Sequence, residues 1–201
     1  RYKKGSEPKA VILTDENIVN SEEGGTGKSL FNQAIGKVRK MIELDGQILD
    51  LSSKFSFSDV EIFHEVINID DCDDKFNFKK LFHSLTGEMN IERKGKDRIS
   101  IPYDDSPKFC LSTNHVFKGF GNSHERRKFE VEFSNYYNSG YTPINDFGHE
   151  LYNDWDLDEW NSFYFFMAEC VQYYLKNGLL SYHQTNIEYK RLVENTDEDM
   201  A

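Results

Sequence analysis

Residues 10–13, 66–69 and 109–113 are short runs, apolar or nearly so, without a strict alternation of polar and apolar positions. A strand buried on both faces reads this way, and such strands belong to parallel sheets covered by helices. The segments between them run helical. Residues 27–42 carry Leu30, Phe31, Ala34, Ile35, Val38, Met41 and Ile42 at helical spacing, and 76–85 predict a helix stopped before Gly87. Asp45-Gly46 reads as a turn into a further strand at 47–51. Residues 129–133 alternate as a short strand, and 90–101 alternate around Lys94-Gly95-Lys96, which predicts a β-hairpin with a basic tip. Strands that alternate with helices predict an α/β layered fold with a mainly parallel sheet. Ligands bind such folds at the carboxyl ends of the strands.

The 201 residues suffice for one ordinary domain with a small appendage. A division near residue 145 is expected, with the α/β part at 1–145 and a helical part at 146–201. In the second part Asp156 is a good N-cap, Asn177-Gly178 closes the helix, and residues 194–201 are expected to fray. Trp155, Trp160, Phe163, Phe166, Val171 and Tyr174 predict one packed side of a small helical bundle. The net charge of −11 argues against nucleic-acid binding only if the charge is spread evenly. It is not. Residues 86–128 hold nine Lys/Arg against six Asp/Glu, and 146–201 hold three against twelve. Cys72, Cys110 and Cys170 form no CxxC pair and read as buried free thiols of a reducing compartment. No apolar run approaches the ~18–20 residues that span a bilayer, and the opening RYKKGSEPKA lacks the apolar stretch of a signal peptide. A cytoplasmic protein without a membrane partner is expected.

Five groups of residues carry chemistry. Glu22-Glu23-Gly24-Gly25-Thr26-Gly27-Lys28-Ser29 resembles a P-loop, with Glu22 where the pattern has its first glycine. Glycines let backbone N–H groups curl around a phosphate, and the helix N-terminus adds its dipole. Gly24 through Leu30 are the expected ATP contacts, with Lys28 on the β- and γ-phosphates and Ser29 on Mg²⁺. The strand at 66–69 ends in Asp70-Asp71, as a Walker B site does. Asp70 is assigned to the metal and Asp71 to the attacking water, the reverse being open. Asn114, ending the strand at 109–113, offers an amide to the γ-phosphate or the water. Arg126 and Arg127 offer always-charged forks to a phosphate. Lys94 and Lys96 at the hairpin tip suit a phosphate backbone.

The order of these groups resembles the superfamily 3 helicases. It looks most like the helicase part of the poxvirus-type primase-helicases of phages and mobile elements. The resemblance covers about residues 10–133. It rests on Gly25 through Ser29, Asp70-Asp71, Leu85-Thr86-Gly87 before the basic stretch, Pro107-Lys108-Phe109 leading to Ser112-Thr113-Asn114, and Arg126-Arg127 before Phe133. It implies an AAA+ type P-loop NTPase core of three layers with a C-terminal helical subdomain. It further implies a homo-hexameric ring with ATP between subunits, Asn114 as sensor, and Arg126 or Arg127 as the finger lent to a neighbour. Lys94 and Lys96 would then face single-stranded DNA in the channel, beside a primase domain or primase partner. The expected activity is ATP hydrolysis coupled to DNA translocation in replication. A non-hydrolysing nucleotide-dependent interaction module and a small-molecule P-loop kinase are the alternatives.

Overall fold

The computed structural model describes residues 8–16, 25–117, 119, 121–180 and 186. In chain order its elements are β1 (Ala10–Asp15), α1 (Lys28–Val38), β2 (Met41–Asp45), β3 (Val66–Cys72), α2 (Phe82–Thr86), β4 (Met89–Ile91), β5 (Ile99–Ile101), β6 (Lys108–Thr113), α3 (Asn122–Glu125), β7 (Lys128–Phe133), α4 (Pro143–Phe147) and α5 (Leu157–Asn177). Five strands form one sheet in the order β2-β3-β6-β1-β7, and every pair in it is parallel. β4 and β5 pair antiparallel, with Asn90 opposite Ser100, and are the basic-tipped hairpin. The architecture is α/β and compatible with an NTPase-like fold.

Side chains of β1 point alternately to the two faces of the sheet. Ile12 joins Ile67, Ile69, Phe109 and Leu111, all but inaccessible, on the face covered by Phe78, Leu81 and Leu85. Leu13 joins Val66 and Cys110 on the other face, where Ile35 of α1 and Met41 pack. Each such large side chain contributes about 1.5–3 kcal/mol by leaving water. A polar chain crosses this second face. Asn32, the buried residue of α1, donates to Asn68 Oδ1 at 3.0 Å, and Asn68 donates to Glu43 Oε2 at 3.2 Å. α1 is thereby fixed on the sheet by hydrogen bonds as well as by packing.

Several expectations need correction. The first helix stops at Val38, and Met41 and Ile42 belong to β2, in register with Val66 and Ile67. Residues 47–51 are turns rather than a strand, because Asp45 Oδ1 accepts from the Gln47 amide and Asp50 Oδ1 from that of Ser52. Leu49 and Leu51 still pack on the core from this loop. β1 runs past the apolar residues 10–13 to include Thr14 and Asp15. Residues 76–85 hold a 3-10 turn at Phe78–Leu81 and then α2, not one helix. Cys72 and Cys110 are buried, whereas Cys170 is exposed.

The C-terminal part contains no bundle among the described residues: α4 is one turn, and α5 is a single helix without a buried residue. Asp156 caps α5 by accepting from the Asp158 and Glu159 amides at 2.9 Å, and Gly178 ends it. Trp155, Trp160 and Phe163 cluster around Tyr152, and Lys37 of α1 lies over the Tyr152 and Trp160 rings. Phe166 and Val171, expected in this packing, are exposed. The expected frayed tail, 194–201, lies outside the described residues. No helix among the described residues is long and apolar enough to cross a membrane.

Candidate functional site

β1 lies between β6 and β7, and the chain leaves it for the far edge of the sheet before returning through β3 and β6. The carboxyl end of β1 is therefore a crevice between strands whose connections diverge. The glycine-rich segment opens at this point. Gly25 and Gly27 take φ values of 107° and 101°, in the region that favours glycine, and Gly27 caps α1. Gly25 also backs onto Asn138, whose main-chain carbon lies 3.6 Å from the position of an added Cβ. Gly24 lies outside the described residues.

Lys28 reaches two partners at the strand ends. Its Nζ lies 2.5 Å from Asp15 Oδ2 and donates to Asn114 Oδ1 at 2.6 Å. Thr26 Oγ1 donates to the other oxygen of Asp15 at 2.5 Å. Lys28 and Asp15 side chains are only 14% and 10% exposed, so the ion pair is shielded from solvent. Ser29 is exposed in the first turn of α1, and Leu30 is half-buried beside it.

Asp70 and Asp71 are held differently. The chain bulges between Ile69 and Cys72, and Asp71 takes φ 54°. The Ser112 hydroxyl donates to Asp70 Oδ1 and accepts from the Asp71 amide, so one side chain of β6 fixes both acids. The exposed Asp71 carboxylate accepts from Gln47 Nε2 at 2.5 Å. Asp70 therefore faces β6, and Asp71 faces the loop after β2. A hydroxyl and a carboxylate, as Ser29 and Asp70 carry, are the hard oxygen donors that Mg²⁺ takes, and no group of three or more His, Cys, Asp or Glu that could hold a metal ion is found among the described residues.

The two arginines part company. Arg127 is buried, donates to Ser123 O at 2.8 Å and lies 4.4 Å over the Phe82 ring. Arg126 is exposed. Beside Arg127, His124 packs edge-on to Phe82, and neither His124 Nδ1 nor Arg127 Nε has a hydrogen-bond partner among the described residues. Burial, and then the Lys128 charge, push the His124 pKa down. In the hairpin, Arg93 is tied to Ser58 O, Val60 O and Glu61, and Arg98 to Asn90. Lys94 and Lys96 stand exposed on either side of Gly95, whose φ is 71°.

The structure thus gathers Thr26, Lys28 and Asn114 around one point, with Asp70 and Asp71 two strands from β1. The hairpin lysines and Arg126 make no contact with this group. Sequence reasoning missed Asp15, Gln47 and Ser112. Asp15 carries the signal already used for Asp70, an acid ending an apolar run. Gln47 carries none, and Ser112 stands out only as part of the Ser112-Thr113-Asn114 run, because their roles toward Asp70 and Asp71 depend on neighbours far apart in sequence.

An all-parallel sheet with a glycine-rich turn and a half-buried lysine at the carboxyl end of an inner strand is compatible with the class of NTPase-like α/β folds. Residues 19–127 match the family of unknown function DUF5906, and the chain belongs to that family. No curated protein matches it in sequence. The fold is similar to that of the C-terminal region of NrS-1 in its A-form apo structure, with a TM-score of 0.50 and 16% identity over 95% of this chain and 43% of that one. Two further apo structures of that region, also 16% identical, give TM-scores of 0.45 over 79% of this chain and 33% of theirs, and 0.47 over 95% and 43%. The chain spans less than half the length of these solved chains.

Proposed function

We propose that the chain is the ATP-dependent motor of a DNA helicase acting in phage or mobile-element replication, as its motif order suggests. The observation that carries the reading is Lys28, set after two left-handed glycines at the carboxyl end of β1, an inner strand of the sheet. Fold-level likeness to the NrS-1 C-terminal region supports it.

In this reading the Gly25–Leu30 segment cradles the phosphates and Lys28 exchanges the Asn114 amide oxygen for a phosphate oxygen. Asn114 is then free to hold the γ-phosphate or the water. Asp71, pinned by Gln47 and Ser112, orients the water, while Ser29 and Asp70 hold Mg²⁺. The metal supplies charge neutralisation on the β- and γ-oxygens. Arg126, exposed where Arg127 is not, is the finger lent to the neighbouring copy of a hexameric ring. Lys94 and Lys96 grip single-stranded DNA, and a primase domain or partner supplies the primers.

The test is ATP turnover with and without single-stranded DNA, alongside mass by light scattering, for the wild type and Lys28→Ala. DNA-stimulated turnover in a large assembly, abolished by the substitution, is the expected result. ATP binding without turnover in any assembly leaves a nucleotide-dependent module, and absence of ATP binding overturns the phosphate site itself.

A further inference from the structure

On the β7 side of the glycine-rich turn lies a cavity of about 350 Å³. Thr26, Gly27 and Leu30 form one wall, and Phe133, Tyr137 and Leu151 contribute to the others. Its size falls within the ~300–1,000 Å³ typical of small-molecule sites, and its lining is mostly apolar and aromatic, as such sites are. Lys28 and its partners stand on the β6 side of the same turn. Phosphates held there would leave the rest of a nucleotide pointing across β1 toward this cavity.

The aromatic wall is fixed by an unusual clasp. Asp146 in α4 accepts hydrogen bonds from three phenols: Tyr137 at 3.0 Å and Tyr136 at 3.3 Å on Oδ2, and Tyr141 at 2.9 Å on Oδ1. The three rings contact one another, with Tyr137 and Tyr141 inclined by only 18°. Tyr137 also lies 4.0 Å from the position of an added Cβ at Gly27. One ring of the clasp thus stands beside the glycine-rich turn itself. Bonded to Asp146 of α4, that ring presents a flat wall to the cavity.

We infer that this cavity takes the nucleobase and ribose of the nucleotide whose phosphates the glycine-rich turn holds, with Tyr137 as the base-contacting wall and Asp146 as its positioning residue. The inference rests on the phosphate-site reading and adds to it the half of the ligand that carries base identity. A base against an aromatic face gains stacking that an inorganic polyphosphate cannot.

The experiment measures ATP and inorganic tripolyphosphate binding, each with Mg²⁺, by calorimetry. The proteins are wild type, Lys28→Ala, Tyr137→Ala, Tyr137→Phe and Leu151→Trp. Tyr137→Ala, which removes the wall, and Leu151→Trp, which fills the cavity, should each weaken ATP at least fivefold and leave tripolyphosphate unchanged. Tyr137→Phe keeps the ring but loses its bond to Asp146, so it should weaken ATP less than Tyr137→Ala does and leave tripolyphosphate unchanged. Lys28→Ala should weaken both ligands. Equal effects of Tyr137→Ala on the two ligands, or none on either, overturn the base pocket while leaving the phosphate site standing. A wild type that binds neither ligand overturns the phosphate site and the base pocket together.

Discussion

Asp15 Oδ2 holds the Lys28 ammonium at 2.5 Å, so the cation of the glycine-rich turn is already neutralised by the last residue of β1. The same carboxylate takes the Thr26 hydroxyl on its other oxygen. Asp15 thus ties the turn to the strand from which it springs. An arriving phosphate must compete with this carboxylate for the lysine. Asp15→Ala would strand a shielded ammonium and a buried hydroxyl, and is expected to lower the unfolding free energy by about 3 kcal/mol. Urea denaturation measures it, and a loss below about 1 kcal/mol would show that solvent screens the pair. Asp15→Asn keeps an acceptor for Thr26 but removes the competing charge, so it should raise tripolyphosphate affinity.

Asp71 holds a left-handed backbone that costs a residue with a Cβ about 1–2 kcal/mol. The Ser112 hydroxyl on its amide and Gln47 on its carboxylate hold it there. Asp71→Gly should therefore be more stable than Asp71→Ala by about 1 kcal/mol, as read from urea midpoints, although both lose the carboxylate. Gln47→Ala touches only an exposed contact and should leave stability unchanged. If Asp71 aims the attacking water, loss of its clamp should lower turnover by up to about a hundredfold, the scale on which a misaimed group costs rate. Full turnover in Gln47→Ala would remove the clamp from the mechanism.

Around His124 the expected dependence is on pH. Packing against Phe82 and nearby cations lower its pKa in the folded chain. Above about pH 6.5, the ordinary histidine value, it is neutral folded or unfolded and stability does not depend on it. As pH falls below 6.5 the unfolded chain takes up the proton first, so stability drops until the lowered folded-state pKa is passed and then levels. Urea midpoints from pH 8 to 5 should show this fall in the wild type and a shallower one in His124→Gln. Equal slopes would mean that His124 protonates freely in place. The neighbouring arginines should divide in the same assay. Arg127→Ala forfeits the Phe82 contact and the Ser123 bond, a loss of about 2 kcal/mol. Arg126→Ala should stay within about 0.5 kcal/mol of the wild type.

Where local pattern and burial agree, the sequence was legible. The nearly continuous apolar runs of β1, β3 and β6 show no alternation because both faces of the sheet are covered. The hairpin, the Asp156 cap and the Gly178 stop depend on neighbours close in sequence. Met41 and Ile42 were misread because two adjacent apolar residues fit both a helix face and a buried strand, and the break at Arg39–Lys40 has no glycine or proline to mark it. The clusters of the site were only partly legible. A glycine-lysine pattern announces Lys28, but the partners that orient it, Asp15 and Asn114, sit on two other strands. Aromatic periodicity in α5 predicted a packed face. Trp160 and Phe163 pack, while Phe165 and Phe166 are left at the surface, and periodicity alone cannot tell a covered stripe from an uncovered one.

The hairpin offers the cleanest separation of binding from folding. Arg93 and Arg98 are spent on holding the hairpin to residues 58–61 and to its own first strand. Lys94 and Lys96 make no ion pair among the described residues, and the left-handed Gly95 between them sets the turn. Replacing both lysines with alanine should leave thermal stability within the range of ordinary surface substitutions, about 0.5 kcal/mol. If each neutralises one phosphate of a single strand, the double variant should flatten the plot of log affinity against log salt by about 1.4, some 0.7 for each contact. Fluorescence anisotropy with a labelled oligodeoxythymidine across a salt series reads that slope. An unchanged slope would take the hairpin tip out of the DNA path, whatever the fate of the nucleotide site. Arg93→Ala should do the opposite, lowering stability by loosening the hairpin from Glu61 and Val60 before it alters the salt slope.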